Sequence, residues 1–377
     1  MFKNVIGQKE TKQRLLGSLK ADRVPHAQII LGPEGSGALS LALAYSQYLQ
    51  CENPTYEDAC GTCASCSKAS KFIHPDIHFS FPTVESKLST QLLPEWRKFL
   101  EENPYGNVNN WLNSLGAENK QGNIYAKECD DIIRKLNLKR FEGKYKILLL
   151  WLPEFLGNEG NRLLKVIEEP TDDTLFLLVA ENQEQILNTI LSRCQLVKVY
   201  PLEEEELSAA LQAKHSISSE KARTISFLAE GNFNKAEAIL EEGGENDDAS
   251  LFIEWLRTCW GAQPGAMVHW VEKISGGLPV NGRKYGRKEQ KNFLYYGLHF
   301  LRELAVLLGT ADAERLRLLS AERESAVKMS KVMNLNHIEH IKDLLDECYY
   351  HIERNAHPKA LFLSASVKIS KILKAHR

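Results

Sequence analysis

Across the first 200 residues, short apolar runs are separated by longer stretches in which apolar positions recur with a period of about 3.6 residues. The runs at 27–31 (AQIIL), 145–151 (YKILLLW), 175–180 (LFLLVA) and 195–200 (QLVKVY) have the length and apolar density of buried strands. The periodic stretches predict helices, notably over 9–20, 38–50 and 158–169. Strand and helix in alternation point to a mostly parallel sheet flanked by helices, so this part of the chain reads as α/β.

Beyond Pro201 the pattern changes. Apolar spacing becomes helical almost to the end, with three short helices expected between 203 and 242. The stretch Glu242-Gly243-Gly244-Glu245-Asn246-Asp247-Asp248 is polar and contains glycine, which reads as a linker. Past it, residues 251–260, 292–308, 337–351 and 358–373 carry the amphipathic period of helices in a bundle. A loop is expected over 276–286, with Arg283, Lys284, Arg287 and Lys288 making this region basic. The expected division is thus 1–200, 201–245 and 246–377. Residues 79–119, rich in Trp, Asn and Pro, follow no clean period, and no internal repeat is visible.

Composition narrows the class. With 377 residues the chain exceeds what one core usually organises, and 43% hydrophobic against 25% charged residues excludes a disordered chain. A formal charge of -2 exerts no global pull on nucleic acid or anionic lipid, so any DNA contact has to be local or shared with partner chains. The opening Met1-Phe2-Lys3-Asn4 leads into no apolar signal core, and no uninterrupted apolar stretch is long enough to span a bilayer. A cytoplasmic protein without membrane contact is expected.

Strand 27–31 runs directly into Gly32-Pro33-Glu34-Gly35-Ser36-Gly37, and an alanine-rich helix follows. In that setting consecutive backbone N–H groups can turn inward to hold phosphates, which makes Gly32, Gly35 and Gly37 candidate nucleotide-binding residues of a P-loop. Taken alone, the stretch reads equally as a turn before a helix. A working loop places Lys and then Ser or Thr after its last glycine, whereas Ala38 and Leu39 follow here. Without the lysine on the phosphates and the hydroxyl on Mg²⁺, hydrolysis should be negligible and ATP binding is not expected. A second strand of such a site ends in carboxylates that hold Mg²⁺. In 147–154 (ILLLWLPE) those places are taken by Leu150 and Trp151, and only Glu154, behind Pro153, is near. Two elements of one site have lost their chemistry while their apolar framework remains.

Four of the eight cysteines, Cys51, Cys60, Cys63 and Cys66, form C-x8-C-x2-C-x2-C just after the helix that follows the loop. Four thiolates at this spacing suit a closed, structural tetrahedral Zn²⁺ site in a reducing compartment. A redox C-x-x-C pair is the rival, but it leaves the remaining cysteines unexplained. His74 and His78 are read as loop residues outside the ligand set, and Cys129, Cys194, Cys259 and Cys348 as small buried hydrophobes.

Further stretches complete the picture. They are Val5-Ile6-Gly7-Gln8 at the start, Val24-Pro25-His26-Ala27 before the first strand, and His74-Pro75-Asp76 after the cysteines. Asn161-Arg162-Leu163-Leu164-Lys165 with Glu168-Glu169-Pro170, and Thr189-Ile190-Leu191-Ser192-Arg193-Cys194, follow. With the glycine loop and the cysteine spacing, these residues resemble the bacterial clamp-loader subunits of the AAA+ class, the tau/gamma motor and its delta prime companion. The resemblance covers roughly residues 1 to 240 by motif and the rest by architecture.

The resemblance implies an AAA+ P-loop core carrying a zinc module at 51–66, a helical lid over 201–245 and an all-α collar domain over 246–377. It also implies that Arg193 is an arginine finger acting in trans on ATP held by a neighbouring subunit, with Ser192 and Cys194 shaping its turn. A planar, permanently charged guanidinium suits that task better than an ammonium. Read without the resemblance, Arg193 is a surface residue at a strand start. Two departures stand out. Residues 79–119 look like an insertion, and in Gly231-Asn232-Phe233-Asn234-Lys235-Ala236 the place of the motor's sensor arginine holds Asn234.

Losing the lysine, the acidic pair and the sensor arginine while keeping Ser-Arg-Cys is the pattern of the delta prime type. Its implied partners are tau/gamma and delta subunits, and through the complex the sliding clamp and primer-template DNA. Its implied role is to help load that clamp during replication by DNA polymerase III without hydrolysing ATP itself. Two other readings are an active motor with an unusual loop and a zinc-dependent nucleic-acid-binding module.

Overall fold

In a computed structural model of the chain, residues 1–20, 24–117, 120–241, 247–280, 284–354 and 356–374 are described. Residues 242–246 of the expected linker and Arg283 of the basic loop lie outside them, as does the side chain of Lys288. Contacts divide the chain into two compact units, one of Met1–Ser216 with Ala229–Glu237, the other of Ile217–Leu228 with Ala238–Arg377.

The first unit is built on a five-stranded parallel sheet: β1 (Ala27–Leu31), β2 (Ile77–Ser80), β3 (Lys146–Trp151), β4 (Thr174–Ala180) and β5 (Gln195–Lys198), in the order β2-β3-β4-β1-β5. Burial on both faces explains the continuous apolar runs. Ile147, Leu149, Trp151, Leu175, Leu177 and Val179 point into one core, where helix Ala38–Gln50 also packs. Their neighbours Leu148, Leu150, Phe176, Leu178 and Ala180 point into a second core shared with helix Ala126–Leu136. The period of two in strand side chains thus assigns one run to two layers.

Three stretches differ from expectation. β5, expected as a buried strand, lies at a sheet edge with Gln195 and Lys198 exposed. β2 is an edge strand and contains His78, which is therefore not a loop residue; burial pushes its pKa down to about 4. His74 does lie in a loop, buried, with Nδ1 accepting from the Asp76 N–H at 3.2 Å. The expected helix over 158–169 is instead a 3-10 stretch, Pro153–Leu163, kinked at Gly157 (φ 49°), followed by a short α-helix, Leu164–Glu168. Gly160 there passes close to Ile190, since a Cβ would lie 2.9 Å from Ile190 Cδ1.

Residues 79–117 are a packed part of the first unit, with helices Leu93–Glu102 and Val108–Ser114. Trp96 stacks on Phe81 at 4.2 Å between ring centroids and meets Trp111 at 5.2 Å and Trp151 of β3 at 5.1 Å. The Trp111 indole N–H donates to Pro82 O at 2.7 Å, so its one polar atom is satisfied inside the cluster. Aromatic residues far apart in sequence meet here, and no helical or strand period could register them.

The second unit is helical, with Asp247–Gly261, Pro264–Ile274, Arg287–Thr310, Ser320–Met329, Leu335–Glu353 and Pro358–Lys374. Its centre is Trp255 stacked on Trp270 at 4.7 Å, with indole N–H groups donating to Ser366 Oγ (2.8 Å) and Leu251 O (3.0 Å). No helix among the described residues is long and apolar enough to cross a membrane.

Candidate functional site

The glycine loop leaves the C-terminal end of β1, the strand between β4 and β5, where open parallel sheets place their ligands. Gly32 N–H donates to Ala180 O at 3.0 Å, tying the loop to the end of β4. The opening motif holds its other side. Gln8, in the left-handed region with Gly7, donates through Nε2 to Ser36 O (3.2 Å) and Tyr200 O (2.6 Å).

Gly35 (φ 69°) and Gly37 (φ 91°) have the backbone a phosphate loop needs, and both are tightly covered. A Cβ on Gly35 would collide with Asn232 Oδ1, and one on Gly37 would lie 2.8 Å from Tyr105 Cε1. Gly35 O accepts from Phe233 N–H at 3.1 Å. Tyr105 Oη accepts from Ile6 N–H at 2.8 Å, and its ring lies 4.9 Å from that of Phe233. Burial pushes the Tyr105 hydroxyl up to about 12. Glu34 Oε1 receives amide donors from Asn107 (3.0 Å), Asn232 (3.3 Å) and Asn234 (3.2 Å). Asn234, standing where a sensor arginine was expected, thus bonds a carboxylate of the loop.

The acidic position has also changed use. Leu150 and Trp151 are buried, and the chain turns at Leu152 (φ 57°) into Pro153 and Glu154. Glu154 Oε1 accepts from the N–H groups of Glu181 (2.6 Å) and Asn182 (2.8 Å), and so caps the end of β4. Burial raises its pKa. Glu181, half-buried beside it, is pushed up to about 7, first by burial and then by the carboxylates of Glu34 and Glu154. A cleft of about 730 Å³ opens here, bounded by Gly32, Pro33, Glu181, Asn182, Val199 and Tyr200. Carboxylates that already repel one another make a poor host for a polyphosphate.

Arg193 lies at the opposite edge of the sheet. β1 and β5 are parallel, with Gln28 beside Gln195 and Leu31 beside Lys198. The loop follows the end of β1, whereas Ser192, Arg193 and Cys194 precede the start of β5. Four strand residues at about 3.3 Å each place roughly 13 Å between these levels, so Arg193 does not serve its own loop. Helix Asn188–Leu191 ends in Ser192, and Arg193 N–H and Cys194 N–H donate to Ile190 O and Leu191 O. The guanidinium pairs with Glu168, and Nη1 donates to Thr189 O (2.8 Å) and Ser192 Oγ (3.3 Å). The side chain remains 31% exposed, while burial pushes the Cys194 thiol up to about 11.

The four cysteines converge as their spacing predicts, with all Sγ atoms within 4.8 Å of one another. A tetrahedral zinc with Zn–S near 2.3 Å sets sulfurs about 3.8 Å apart, and Cys60 and Cys66 stand at 3.9 Å. Backbone N–H groups point at three of them: Cys60 N to Cys51 Sγ (3.2 Å), Cys63 N to Cys60 Sγ (3.3 Å) and Cys66 N to Cys63 Sγ (3.3 Å). N–H groups of Thr62 and Cys63 lower Cys60 to about 6, while burial raises Cys51 and Cys66 in the absence of a metal charge. The donor set therefore fits zinc.

His74-Pro75-Asp76 has a structural task. Burial alone would raise Asp76, but N–H donors from Phe141 (2.6 Å), Glu142 (2.8 Å) and Gly143 (2.6 Å) hold its pKa below the ordinary value. Tyr105 and Asn107, which cover the loop, carry no sequence signal, whereas Glu34 is an acid inside a glycine loop and its signal is local.

A family model described as "DNA polymerase III, delta subunit" matches residues 7–203, which hold the sheet, the loop, the cysteines and the Arg193 turn. The chain belongs to this family. Among its relatives is DNA polymerase III subunit delta' of Bacillus subtilis, 27% identical over 234 residues, 62% of this chain and 58% of that protein. The delta' subunit of Escherichia coli is 27% identical over 235 residues, 62% of this chain and 59% of that one. DNA polymerase III subunit gamma of Buchnera aphidicola is 23% identical over 246 residues, 64% and 58% respectively. The chain spans less than two thirds of the length of these curated relatives. It is a delta prime family member related to the tau and gamma subunits.

Proposed function

We propose that this chain is the non-hydrolysing, delta prime-type subunit of a bacterial clamp loader of the AAA+ class, and that Arg193 serves the ATP site of an adjacent tau/gamma subunit. The observation that carries the reading is the contrast between the two edges of the sheet. At one, Glu34 and Gly35 of the loop bond this chain's own Asn107, Asn232, Phe233 and Asn234. At the other, a partly exposed guanidinium stands too far from that loop to act on it. An arginine supplied across an interface stabilises charge on a transferring phosphoryl group and needs no nucleotide of its own.

On this reading residues 1–200 are the AAA+ core, 201–245 the lid and 246–377 the collar domain. The delta subunit completes the assembly, which loads the sliding clamp on primer-template DNA. Cys51, Cys60, Cys63 and Cys66 hold a structural zinc ion that fixes the module at 51–66.

The test is reconstitution with tau/gamma and delta. Arg193→Ala should lower DNA-stimulated ATP turnover at the site it serves by roughly 10³-fold while the complex still assembles. Unchanged turnover removes the finger assignment. Hydrolysis by the purified chain alone, at the rate of a motor subunit, removes the whole reading.

A further inference from the structure

The segment at 79–119 looked like an insertion, and the turn after its helix Leu93–Glu102 lies against the glycine loop. Helix Leu93–Glu102 ends at Asn103, and the turn that follows carries Pro104, Tyr105 and Asn107 toward the start of helix Ala38–Gln50. Ser40 Oγ donates to Pro104 O at 2.8 Å, so that helix grips the turn. Tyr105, 8% exposed, presses its ring against Gly37 and Phe233 and accepts from Ile6 N–H. Asn107 donates to Glu34 and, through Oδ1, accepts from Asn110 N–H at 2.9 Å as the N-cap of helix Val108–Ser114. The helix behind the turn is anchored in turn by Trp111 in the aromatic cluster.

A nucleotide held by a glycine loop requires open space in front of the last glycine, where the backbone meets the phosphates. Here that approach is filled. The opening motif, the last glycine and helix Phe233–Glu241 all touch the Tyr105 phenol, and Glu34 Oε1 accepts from three amides. Lost charges alone would leave an empty, weakly binding pocket, whereas here an aromatic ring also stands against the last glycine, beside the cleft at Gly32, Pro33 and Glu181.

We propose that the Pro104–Asn107 turn is a built-in stopper that excludes nucleoside triphosphates from the glycine loop, with Tyr105 as its plug and Asn107 as its latch on Glu34. This rests on the reading that the chain works without binding ATP, and goes beyond it: restoring the missing lysine and hydroxyl is not sufficient to restore binding. A site blocked most of the time shows an affinity reduced by the fraction of time it is open.

The experiment measures Mg-ATP binding by calorimetry to the purified chain and to a series of its variants. The unaltered chain and Ala38→Lys/Leu39→Thr should both show no saturable binding. Adding Tyr105→Ala to that pair should tighten binding by at least about tenfold, whereas adding Tyr105→Phe, which keeps the ring, should leave it weak. If Ala38→Lys/Leu39→Thr alone binds as tightly as the Tyr105→Ala combination, the stopper is overturned while the non-binding of the natural chain stands. Binding by the unaltered chain overturns the underlying reading instead. Should the Tyr105→Ala protein fail to fold, Asn107→Ala in the same background releases the latch without removing the ring. No gain in affinity from that folded variant also overturns the proposal.

Discussion

The two edges of the sheet in the first unit both carry polar residues and hold them in opposite states. At the C-terminal edge, Glu34, Asn107, Asn232 and Asn234 bond one another, and Tyr105 lies over Gly37. At the N-terminal edge, Arg193 is held by one exposed carboxylate and its own turn. Polar groups closed on themselves in a buried site make structure, while a charge held by a weak exposed pair stays available to a partner. On the proposed reading a nucleotide fold loses one function and keeps another, because the two lie at opposite ends of the same strands.

The strongest way to sharpen this contrast is Arg193→Lys. It keeps the charge but loses the planar fork, so turnover of the reconstituted complex should still fall by about 10²-fold or more, measured as single-site ATP hydrolysis. Wild-type turnover would mean that charge alone suffices.

Next in size is Trp96→Ala, which empties the aromatic cluster behind the loop edge. It should destabilise the first unit by about 3–5 kcal/mol in urea unfolding. A loss below about 1 kcal/mol would show that residues 79–117 are not part of that core.

A smaller effect is expected from Glu181→Gln. The folded pKa of Glu181 is raised to about 7, so its contribution is fully present below the unfolded carboxylate value and is lost as pH rises through 7. Glu181→Gln should remove that loss, making the variant relatively more stable at pH 8 than at pH 4; because the group is half-exposed, the gain is discounted to about 1 kcal/mol. Melting curves across pH check it, and an unchanged slope would place Glu181 in bulk-like solvent.

The smallest is Glu168→Gln. The pair with Arg193 is largely exposed, so stability should change by less than about 1 kcal/mol in thermal melts. A larger loss would make Arg193 a structural residue and erase the difference between the edges.

Much of this was legible in the chain. β1, β3 and β4 are continuous apolar runs because both faces are buried, and such runs have few alternatives. Helices 9–20 and 38–50 were found to the residue. The convergence of the four cysteines was legible from spacing, since residues close in sequence need little help from the fold to meet. β2 was not, because four residues containing His78 give too short a signal at a sheet edge. Helices Pro264–Ile274 and Ser320–Met329 were missed as well, the second because few apolar residues mark its face.

The sequence by itself determined the class of the core, the absence of the lysine and acidic pair, and the cysteine cluster, because each depends on residues that are neighbours along the chain. Only the tertiary structure decided what fills the loop and where Arg193 stands. Tyr105, Phe233 and Ile6 lie far apart in sequence and meet only after the sheet and its flanking helices have packed. The separation of loop and arginine follows from the parallel pairing of β1 with β5, which no local pattern encodes.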